Sequence, residues 1–253
     1  MTSYKLNFLL QLVGIFISTL LFFFLSKLFE RGMSDYLQPY GGDYFAFVII
    51  GIAITDYLTV SLGSFASEIR NAQMMGTLEA LLVTPTSVPT ILFSSSLFSF
   101  TLTSVRIIVY LVFGITFFGL KLHFTSIPLL LLIMCLTILS FTGIGLISAG
   151  FIVIFKQGSP LSWIVSTTSG VLGGILYPVS VLPAWLQPFS HLLPITHALE
   201  TIRQILLNGS TFSDVYHGVI ILILFCITLL PVGLIFMRYG LRKARKDGSL
   251  VHY

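Results

Sequence analysis

The chain has 253 residues, of which 56% are hydrophobic and only 9% charged, and its formal net charge is +4. Soluble domains carry about a quarter charged residues, so this composition excludes an ordinary soluble protein and is typical of membrane proteins. A membrane-spanning helix needs roughly 20 mostly apolar residues, which leaves room for about six spans. What remains is too short for a separate soluble catalytic domain of about 100 residues. We expect one all-α membrane domain over residues 1–253.

Six apolar runs predict the spans in chain order. They cover residues 8–29, 44–67, 91–119, 127–155, 161–178 and 217–238. The first run is longer than the roughly 7–15 apolar residues of a secretory signal, so we interpret it as a retained span. A polar loop follows the first run, and a short turn separates the third from the fourth. The sequence Gly158-Ser159-Pro160 separates the fourth run from the fifth, because glycine and proline stop and start helices.

Basic residues predict the orientation of these spans, because cytoplasmic loops carry an excess of Lys and Arg. With both termini in the cytoplasm, the cytoplasmic basic residues are Lys5, Arg70, Lys156, Arg238, Arg242, Lys243, Arg245 and Lys246. The outer ones are fewer: Lys27, Arg31, Lys121 and Arg203. We therefore expect a multi-pass protein of the plasma (inner) membrane with a basic cytoplasmic tail over 238–253. The positive charge follows topology, so we expect no nucleic-acid partner.

The segment from residue 176 to 210 is apolar but cannot form one uninterrupted helix. Its four prolines each remove a backbone donor and clash with the preceding turn: Pro178, Pro183, Pro188 and Pro194. Broken backbone is tolerated in hydrocarbon only where protein or water shields it. We expect short helices over about 178–209 that enter the outer leaflet and return. The last of them has Thr196 as its predicted N-cap and Gly209 as its stop.

Two charged residues, Asp56 and Arg106, lie well inside predicted spans. At about 1.5 Å per residue, both lie roughly 18–20 Å below the outer surface. A lone ion at that depth costs at least about 2.5–3.5 kcal/mol, so we expect the two side chains to pair. Two interpretations stay open: a structural bridge that holds a helical hairpin, and a polar pair in a substrate path or gate.

The sequence offers few residues for metal or nucleotide chemistry. His191, His197 and Glu200 are candidate ligands, but they form no tight cluster in the sequence, so we expect no metal site. Cys135 and Cys226 lie in apolar runs without a metal or redox spacing. No Gly-Lys dipeptide occurs in the chain, so the phosphate-binding loop of ATPases is absent. If ATP drives this protein, another polypeptide hydrolyses it.

One amphipathic stretch, NAQMMGTLEALLVTP (71–85), interrupts the apolar sequence between the second and third spans. Leu78, Leu81 and Leu82 share one helical face by their i, i+3, i+4 spacing, and Pro85 ends the helix. Helices that lie on lipid headgroups are usually rich in Lys and Arg, whereas this one carries Glu79 and no Lys. A groove in a partner protein is therefore the favoured contact, and the lipid surface is the alternative.

Two stretches of the chain resemble one protein family. GTLEALLVTP (76–85), preceded by Glu68 and Arg70, resembles the cytoplasmic loop of permease subunits of type-2 ATP-binding-cassette (ABC) exporters. YPVSVLPAWLQPFSHLLPITHALETIRQILLNG (177–209) is similar to the re-entrant hairpin before the last span of the same permeases. The two stretches occur in the family's order, and with six spans around them the resemblance covers nearly the whole chain.

The resemblance implies that this chain and an ATPase divide the work. A coupling helix in the loop of about 68–90 would bind a groove of a cytoplasmic ATPase, which binds ATP and Mg²⁺. This chain would bind no cofactor and catalyse no reaction. Two permease copies, as a homodimer, would work with two ATPase copies. The second and fifth spans would line the opening between them, in contact with membrane lipid. Cargo in this family includes drugs, lipids and lipid-linked glycans.

The resemblance also assigns roles to particular residues. Those that match the coupling region are Glu68, Arg70, Gly76, Thr77, Leu78, Glu79, Leu81, Leu82, Thr84 and Pro85. Those that match the outer hairpin, which would act as a gate, are Tyr177, Pro178, Pro183, Trp185, Leu186, Pro194, His197, Glu200 and Arg203.

Two functions from other classes remain as alternatives at this point. The first is an integral membrane enzyme that acts on lipid with His191, His197 and Glu200 as its site. The second is an ion-coupled carrier that uses Asp56, since a charge inside a span marks a functional site by default.

Overall fold

The computed structural model describes residues 2–76, 88–155 and 160–246, and within these ranges all regular structure is helical. This confirms the predicted all-α fold class. We number the α-helices of these ranges α1 (Thr2–Leu37), α2 (Tyr44–Met74), α3 (Val88–Phe118), α4 (Ile127–Phe155), α5 (Pro160–Leu172), α6 (Gln187–His191), α7 (Pro194–Asn208) and α8 (Phe212–Lys246). Two short 3₁₀ turns accompany them, Gln38–Tyr40 and Val179–Val181.

Five of these helices are long and apolar enough to cross a membrane: α1, α2, α3, α4 and α8. They correspond to the first four predicted spans and the last. The predicted bounds of the fourth span, 127–155, are those of α4. The ends of α1 and α8 extend beyond the prediction, and α1 continues to Leu37 through residues that we expected to form a polar loop. The chain is therefore a multi-pass membrane protein.

The predicted fifth span, 161–178, does not form one helix. α5 has 13 residues, which corresponds to about 20 Å and is shorter than the roughly 30 Å hydrocarbon core. It ends at Leu172, and Gly174 has a φ of +75° soon after. Glycine adopts this left-handed conformation at little cost, and it ends helices. The C-terminal part of this prediction is wrong, and a count of six spans stays a prediction.

The core is built where α4 packs against α8 on one side and α2 on the other. Ser140 of α4 contacts Cys226 of α8, and ten residues further along Gly150 packs against Met237, so α4 and α8 run parallel. Small residues permit this close approach in a membrane, where lipid gives helices little hydrophobic reason to associate. A Cβ on Gly143 would lie only 2.6 Å from the Leu229 carbonyl carbon.

Three connections between helices lie together at one end of the bundle. The Asn208 side-chain amide donates to the Pro39 carbonyl at 2.6 Å, and the His123 N–H donates to the Leu206 carbonyl at 2.7 Å. We call this the loop end; it contains residues 38–43, 119–126 and 209–211. The opposite, terminal end contains the start of α1 and the end of α8. It also contains the end of α2, where the predicted coupling loop begins.

Candidate functional site

The predicted intramembrane pair lies about midway along α2 and α3. Arg106 Nη1 is 3.6 Å from Asp56 Oδ2. Beside the pair, the hydroxyl groups of Tyr57 and Ser104 form a 2.8 Å hydrogen bond. These two polar contacts link neighbouring antiparallel helices. The side chains of Asp56 and Arg106 are 24% and 37% exposed, so the pair lies at an open face of this chain and not in its core.

The terminal end of α2 carries the first residues of the predicted coupling region. Glu68 is partly buried, and Arg70 is exposed. Met74 and Met75, which follow, are also exposed, and Gly76 has a φ of +67°. The remaining predicted coupling residues lie outside the residues that the structure describes: Thr77, Leu78, Glu79, Leu81, Leu82, Thr84 and Pro85.

Residues 173–208, which we call the outer segment, join the end of α5 to the loop end. The prolines occur where helices begin: Pro188 lies in the first turn of α6, and Pro194 in the first turn of α7. Proline suits the first turn because its φ is helical and its missing N–H is not needed there. The predicted N-cap at Thr196 is therefore wrong. The predicted stop at Gly209 is confirmed, with a φ of +67°.

The start of α7 lies near the middle of the bundle, and its end lies at the loop end. α7 runs antiparallel to α8, since Thr201 packs against Gly218, and the His197 ring lies 6.0 Å from the Phe225 ring. Pro194 and Leu229 line a common apolar cavity deeper in the bundle. α6 and α7 thus form a short helical pair, in which α7 is largely buried while Phe189 of α6 is exposed. That this pair enters the outer leaflet of the membrane and returns to the same side stays a prediction.

The other residues predicted for the outer hairpin are spread over this segment. Trp185 is 70% exposed, and Pro183 is also exposed, whereas Pro178 is buried. Leu186 is partly buried, and the Tyr177 hydroxyl donates to the Val171 carbonyl. The exposed turn around Trp185 is therefore held to the rest of the chain by residues on either side of it.

Arg203 of α7 is the most deeply buried charged side chain among the described residues, with 2% exposure. Its Nε and Nη2 donate to the Phe47 carbonyl at 3.1 and 2.9 Å. Its Nη1 and Nη2 donate to the Gly174 and Ile175 carbonyls at 2.7 and 2.8 Å. The guanidinium carbon also lies 3.3 Å from the centre of the Phe47 ring, a favourable cation–π position. One side chain thus joins α7, the start of α2 and the break after α5.

The charge of Arg203 is compensated without a direct ion pair among the described residues. Burial lowers the pKa of Arg203 to about 9, while the Glu200 carboxylate acts in the opposite direction. The guanidinium therefore remains charged at neutral pH. Burial, and secondarily the Glu200 carboxylate, raise the pKa of Tyr40, so its phenol remains neutral. The sequence places Arg203 in the predicted outer hairpin but gives no sign that the side chain is buried.

A polar cavity of about 210 Å³ lies beside Arg203. It is lined by side chains from both helices of the outer segment and by one residue of the loop end, including Tyr40, Gln187, His191, Thr196 and Glu200. Glu200 is partly exposed, whereas Arg203 is covered by the carbonyls it binds. The cavity therefore presents hydroxyl, amide and carboxylate groups next to a buried positive charge.

The two histidines of the outer segment contact each other through one backbone group. His197 Nε2 lies 2.8 Å from the His191 carbonyl oxygen, and the two rings are 5.7 Å apart. Among the described residues, no three His, Cys, Asp or Glu side chains come together in a group that could hold a metal ion. His197 has the contacts of a packed side chain.

Exposed small and polar residues line one face each of α2 and α5. On α2 these are Thr59, Gly63 and Ser67, which follow the Asp56 side chain toward the terminal end. On α5 they are Ser166, Thr167 and Gly170, and the large exposed Trp163 lies on the same face one turn before them. Most other exposed residues of the long helices are large and apolar, as suits contact with lipid. The two faces differ from that surface in size and polarity.

Comparisons with known proteins give the family. The family model described as "ABC-2 type transporter" matches residues 1–207. The chain is 26% identical over 221 residues to the inner membrane transport permease YadH of Escherichia coli K12, which covers 85% of this chain and 84% of that protein. YadH of Escherichia coli O157:H7 and YadH of Shigella flexneri match this chain with the same identity and coverage. This chain belongs to the ABC-2 type transporter family, as a membrane permease subunit that is not itself catalytic and that the family pairs with an ATPase subunit.

Proposed function

We propose that this chain is the permease of an ATP-driven exporter and that it works as a homodimer with two copies of a cytoplasmic ATPase. The ATPase binds ATP and Mg²⁺, and this chain supplies the path through the membrane. One observation carries the proposal. α2 runs from the Arg203 contact at the loop end to exposed Arg70 and Met74 at the terminal end, where the predicted coupling helix begins. A single helix thus connects the proposed ATPase contact to the outer segment.

The proposed mechanism uses this helix to carry mechanical work. Closure of the two ATPase subunits on ATP displaces the coupling helix in the loop 68–90. The displacement moves α2, and the two copies of the permease change their separation along α2 and α5. The small and polar faces of these two helices, with Thr59 and Ser166 among their exposed residues, suit the wall of such a path better than a lipid contact.

The proposed orientation has both termini in the cytoplasm and the outer segment at the opposite side. The exposed basic residues near the end of α8 support it, because Lys and Arg accumulate on the cytoplasmic side: Arg238, Arg242, Lys243 and Lys246. Cargo would then move from the cytoplasm or the inner leaflet toward the outside, with the exposed turn around Trp185 acting as a gate.

The proposed cargo is amphipathic: a glycolipid, a lipid-linked polysaccharide or a drug-like molecule. Two features support this class. The outer segment combines a polar cavity beside Arg203 and Glu200 with an apolar cavity of about 240 Å³ between α4, α5 and α8, lined by Leu58, Phe141 and Leu229 among others. A molecule with a polar head and an apolar body finds both environments there.

The experiment that tests the proposal is co-purification of the tagged chain with its ATPase, followed by measurement of ATP turnover. We expect Glu79→Ala and Leu82→Asp to reduce association or turnover, because they remove the charge and interrupt the apolar stripe of the coupling helix. Arg242→Ala is the control, since Arg242 is exposed at the same end of the bundle on another helix. If neither loop variant affects association or turnover, the coupling role is wrong.

The same preparation separates the proposal from its two alternatives. A lipid-modifying activity that needs no ATP and disappears in His197→Ala would favour the membrane enzyme. Transport that follows an ion gradient without the ATPase and disappears in Asp56→Asn would favour the ion-coupled carrier. The exporter predicts that neither activity occurs in the absence of the ATPase.

A further inference from the structure

Arg203 joins three segments that are far apart in the sequence. Its hydrogen bonds reach Phe47, which is 156 residues away on α2, and Gly174 and Ile175, which follow α5. All three acceptors are main-chain carbonyls. A side chain that binds main-chain atoms fixes the position of the backbone itself, whereas a contact between two side chains permits rotamer changes. The outer segment is therefore held to the first turn of α2 by a directional contact.

The contact depends on the absence of a side chain at Gly51. A Cβ at this position would lie 2.7 Å from Arg203 Nη2 and would collide with the Ile175 carbonyl oxygen. Main-chain atoms cannot move aside as a flexible side chain can, so an alanine here would separate α2 from the outer segment. Gly51 and Arg203 together form one joint, which we call the α2 joint.

The contacts of α7 with α8 are of a different kind, although at the loop end the Asn208 side chain of α7 also donates to the Pro39 carbonyl. Toward α8, α7 packs by buried apolar side chains, Ile202 and Leu206 of α7 with Val215 and Val219 of α8 among them. Apolar packing is non-directional and tolerates small sliding of one helix against another. By contrast, a guanidinium that donates four hydrogen bonds in a water-poor site has a single favourable geometry. When α2 moves relative to α8, the α2 joint therefore resists a change of its geometry more strongly than the α7–α8 contact does. α7 then moves with α2 and slides against α8.

α2 itself is suited to carry a displacement over its length. It has 31 residues and no proline, and at about 1.5 Å per residue it measures about 46 Å. By comparison, α8 contains Pro231 near its middle, where proline removes a helical hydrogen bond and permits bending. α2 begins about two turns before Gly51 of the α2 joint and ends at exposed Met74, close to the predicted coupling helix.

We propose that Arg203 is a positioning residue that makes the outer segment follow α2 as one body. A displacement of α2 at its terminal end is then delivered to residues 173–208 at the loop end. This inference rests on the proposed function, because it assumes that ATP use displaces the terminal end of α2. It adds the residue by which that displacement reaches the proposed gate.

The first measurement is thiol labelling of the chain with Arg203 unchanged, together with its ATPase in vesicles. The two native cysteines, Cys135 and Cys226, are first replaced so that only the introduced thiols react. Single substitutions Ser67→Cys and Trp185→Cys, both at exposed positions, report on the two ends of the connection. We expect the labelling rate of both to change when ATP is added. If neither responds, the proposed function fails. If the thiol at position 67 responds and the thiol at position 185 does not, the proposed function survives and the inference about Arg203 is overturned.

The second measurement repeats the labelling in two variants that loosen the α2 joint by different means. Arg203→Lys keeps a positive charge but replaces the planar guanidinium, which donates four hydrogen bonds here, by an ammonium with three donors and no fixed fork. Gly51→Ala keeps Arg203 but displaces it. In either variant we expect the ATP-dependent change in labelling rate at position 185 to fall about threefold or more. The change in labelling rate at position 67 and the rate of ATP turnover should remain as in the parent protein. Gly14→Ala is the control, because nothing lies within 4 Å of a Cβ at Gly14.

The two variants also distinguish positioning from simple structural support. A merely structural residue would lower the yield of folded complex and reduce both reporters and ATP turnover together. That result in both variants, or an unchanged response at position 185 in a folded variant, would contradict the inference. If one variant does not fold, the other decides.

Discussion

The buried Arg203 and the partly exposed pair Asp56–Arg106 are charged groups of a membrane protein, and each is compensated in its own way. Arg203 is covered and donates to three main-chain carbonyls. Asp56 and Arg106 face each other at 3.6 Å and remain partly exposed. Without such compensation, each of these three charged groups would cost several kcal/mol in an apolar environment. The first arrangement fixes backbone positions, and the second joins two neighbouring helices.

The pair yields a direct test by charge exchange. Asp56→Arg places two positive charges together at the middle of the membrane helices, and we expect it to reduce the amount of folded protein. The double variant Asp56→Arg/Arg106→Asp restores opposite charges, so we expect partial recovery. The measurement is the folded, detergent-stable fraction by size-exclusion chromatography. Recovery no better than in the single variant would exclude an energetically important pairing.

The sequence predicted the pair but not the role of Arg203, and the reason is physical. Asp56 and Arg106 each interrupt a long apolar run, so their cost is visible in the sequence. Arg203 lies in the polar sequence THALETIRQ (196–204), where an arginine needs no explanation. Its burial depends on Phe47 and Gly174, and no local pattern shows that these distant residues meet. A usable signal was the glycine pair Gly173-Gly174, which exposes carbonyls after α5.

Among the elements, the prediction succeeded where a helix begins and ends at the limits of an apolar run. α4 has the predicted bounds, since Pro128 begins it and the sequence after Phe155 is polar. The C-terminal part of the fifth span, 161–178, was wrong because this apolar run continues past the glycines that end α5. Hydrophobicity shows which residues avoid water, but it does not show where the backbone turns.

Close packing of α2 against α4 yields a prediction about stability. A Cβ on Gly145 would collide with the Ser61 carbonyl oxygen and lie 2.9 Å from Phe65 Cδ2. We expect Gly145→Ala to destabilise the protein by about 1–3 kcal/mol, because overpacking forces the helices apart. The measurement is the thermal unfolding midpoint in detergent. Gly14→Ala, on an open helix face, should leave the midpoint almost unchanged, and equal midpoints for both variants would contradict this account.

At the scale of the whole molecule, the ends of the described chain and the end of α2 share one end of the bundle. This arrangement follows from the alternation of α1 to α4 and from the parallel course of α4 and α8. Between α4 and α8 in the chain, α5 and the outer segment together return the chain to the loop end. α5 is too short to cross the membrane by itself. The sequence predicted the positions of the long helices, and the structure adds the contacts that link the outer segment to α2.

The membrane orientation is testable with reporters fused to the chain. Alkaline phosphatase is active only outside the cytoplasm. We expect activity when it is fused after Ser210, at the loop end, and no activity when it is fused after Tyr253. Fusions in an expression strain, normalised to protein amount, supply the measurement. Activity after Tyr253 together with inactivity after Ser210 would reverse the proposed orientation and place the coupling loop outside.

As proposed, this chain has no ATPase of its own and receives mechanical work through the loop after α2. The most direct test is a photo-reactive amino acid at Glu79 in cells that contain the partner ATPase. We predict a cross-link to the ATPase after illumination, and a much weaker one when the same group replaces Lys243 at the same end of the bundle. Cross-links at Glu79 to lipid alone, or none to an ATPase, would contradict the claim.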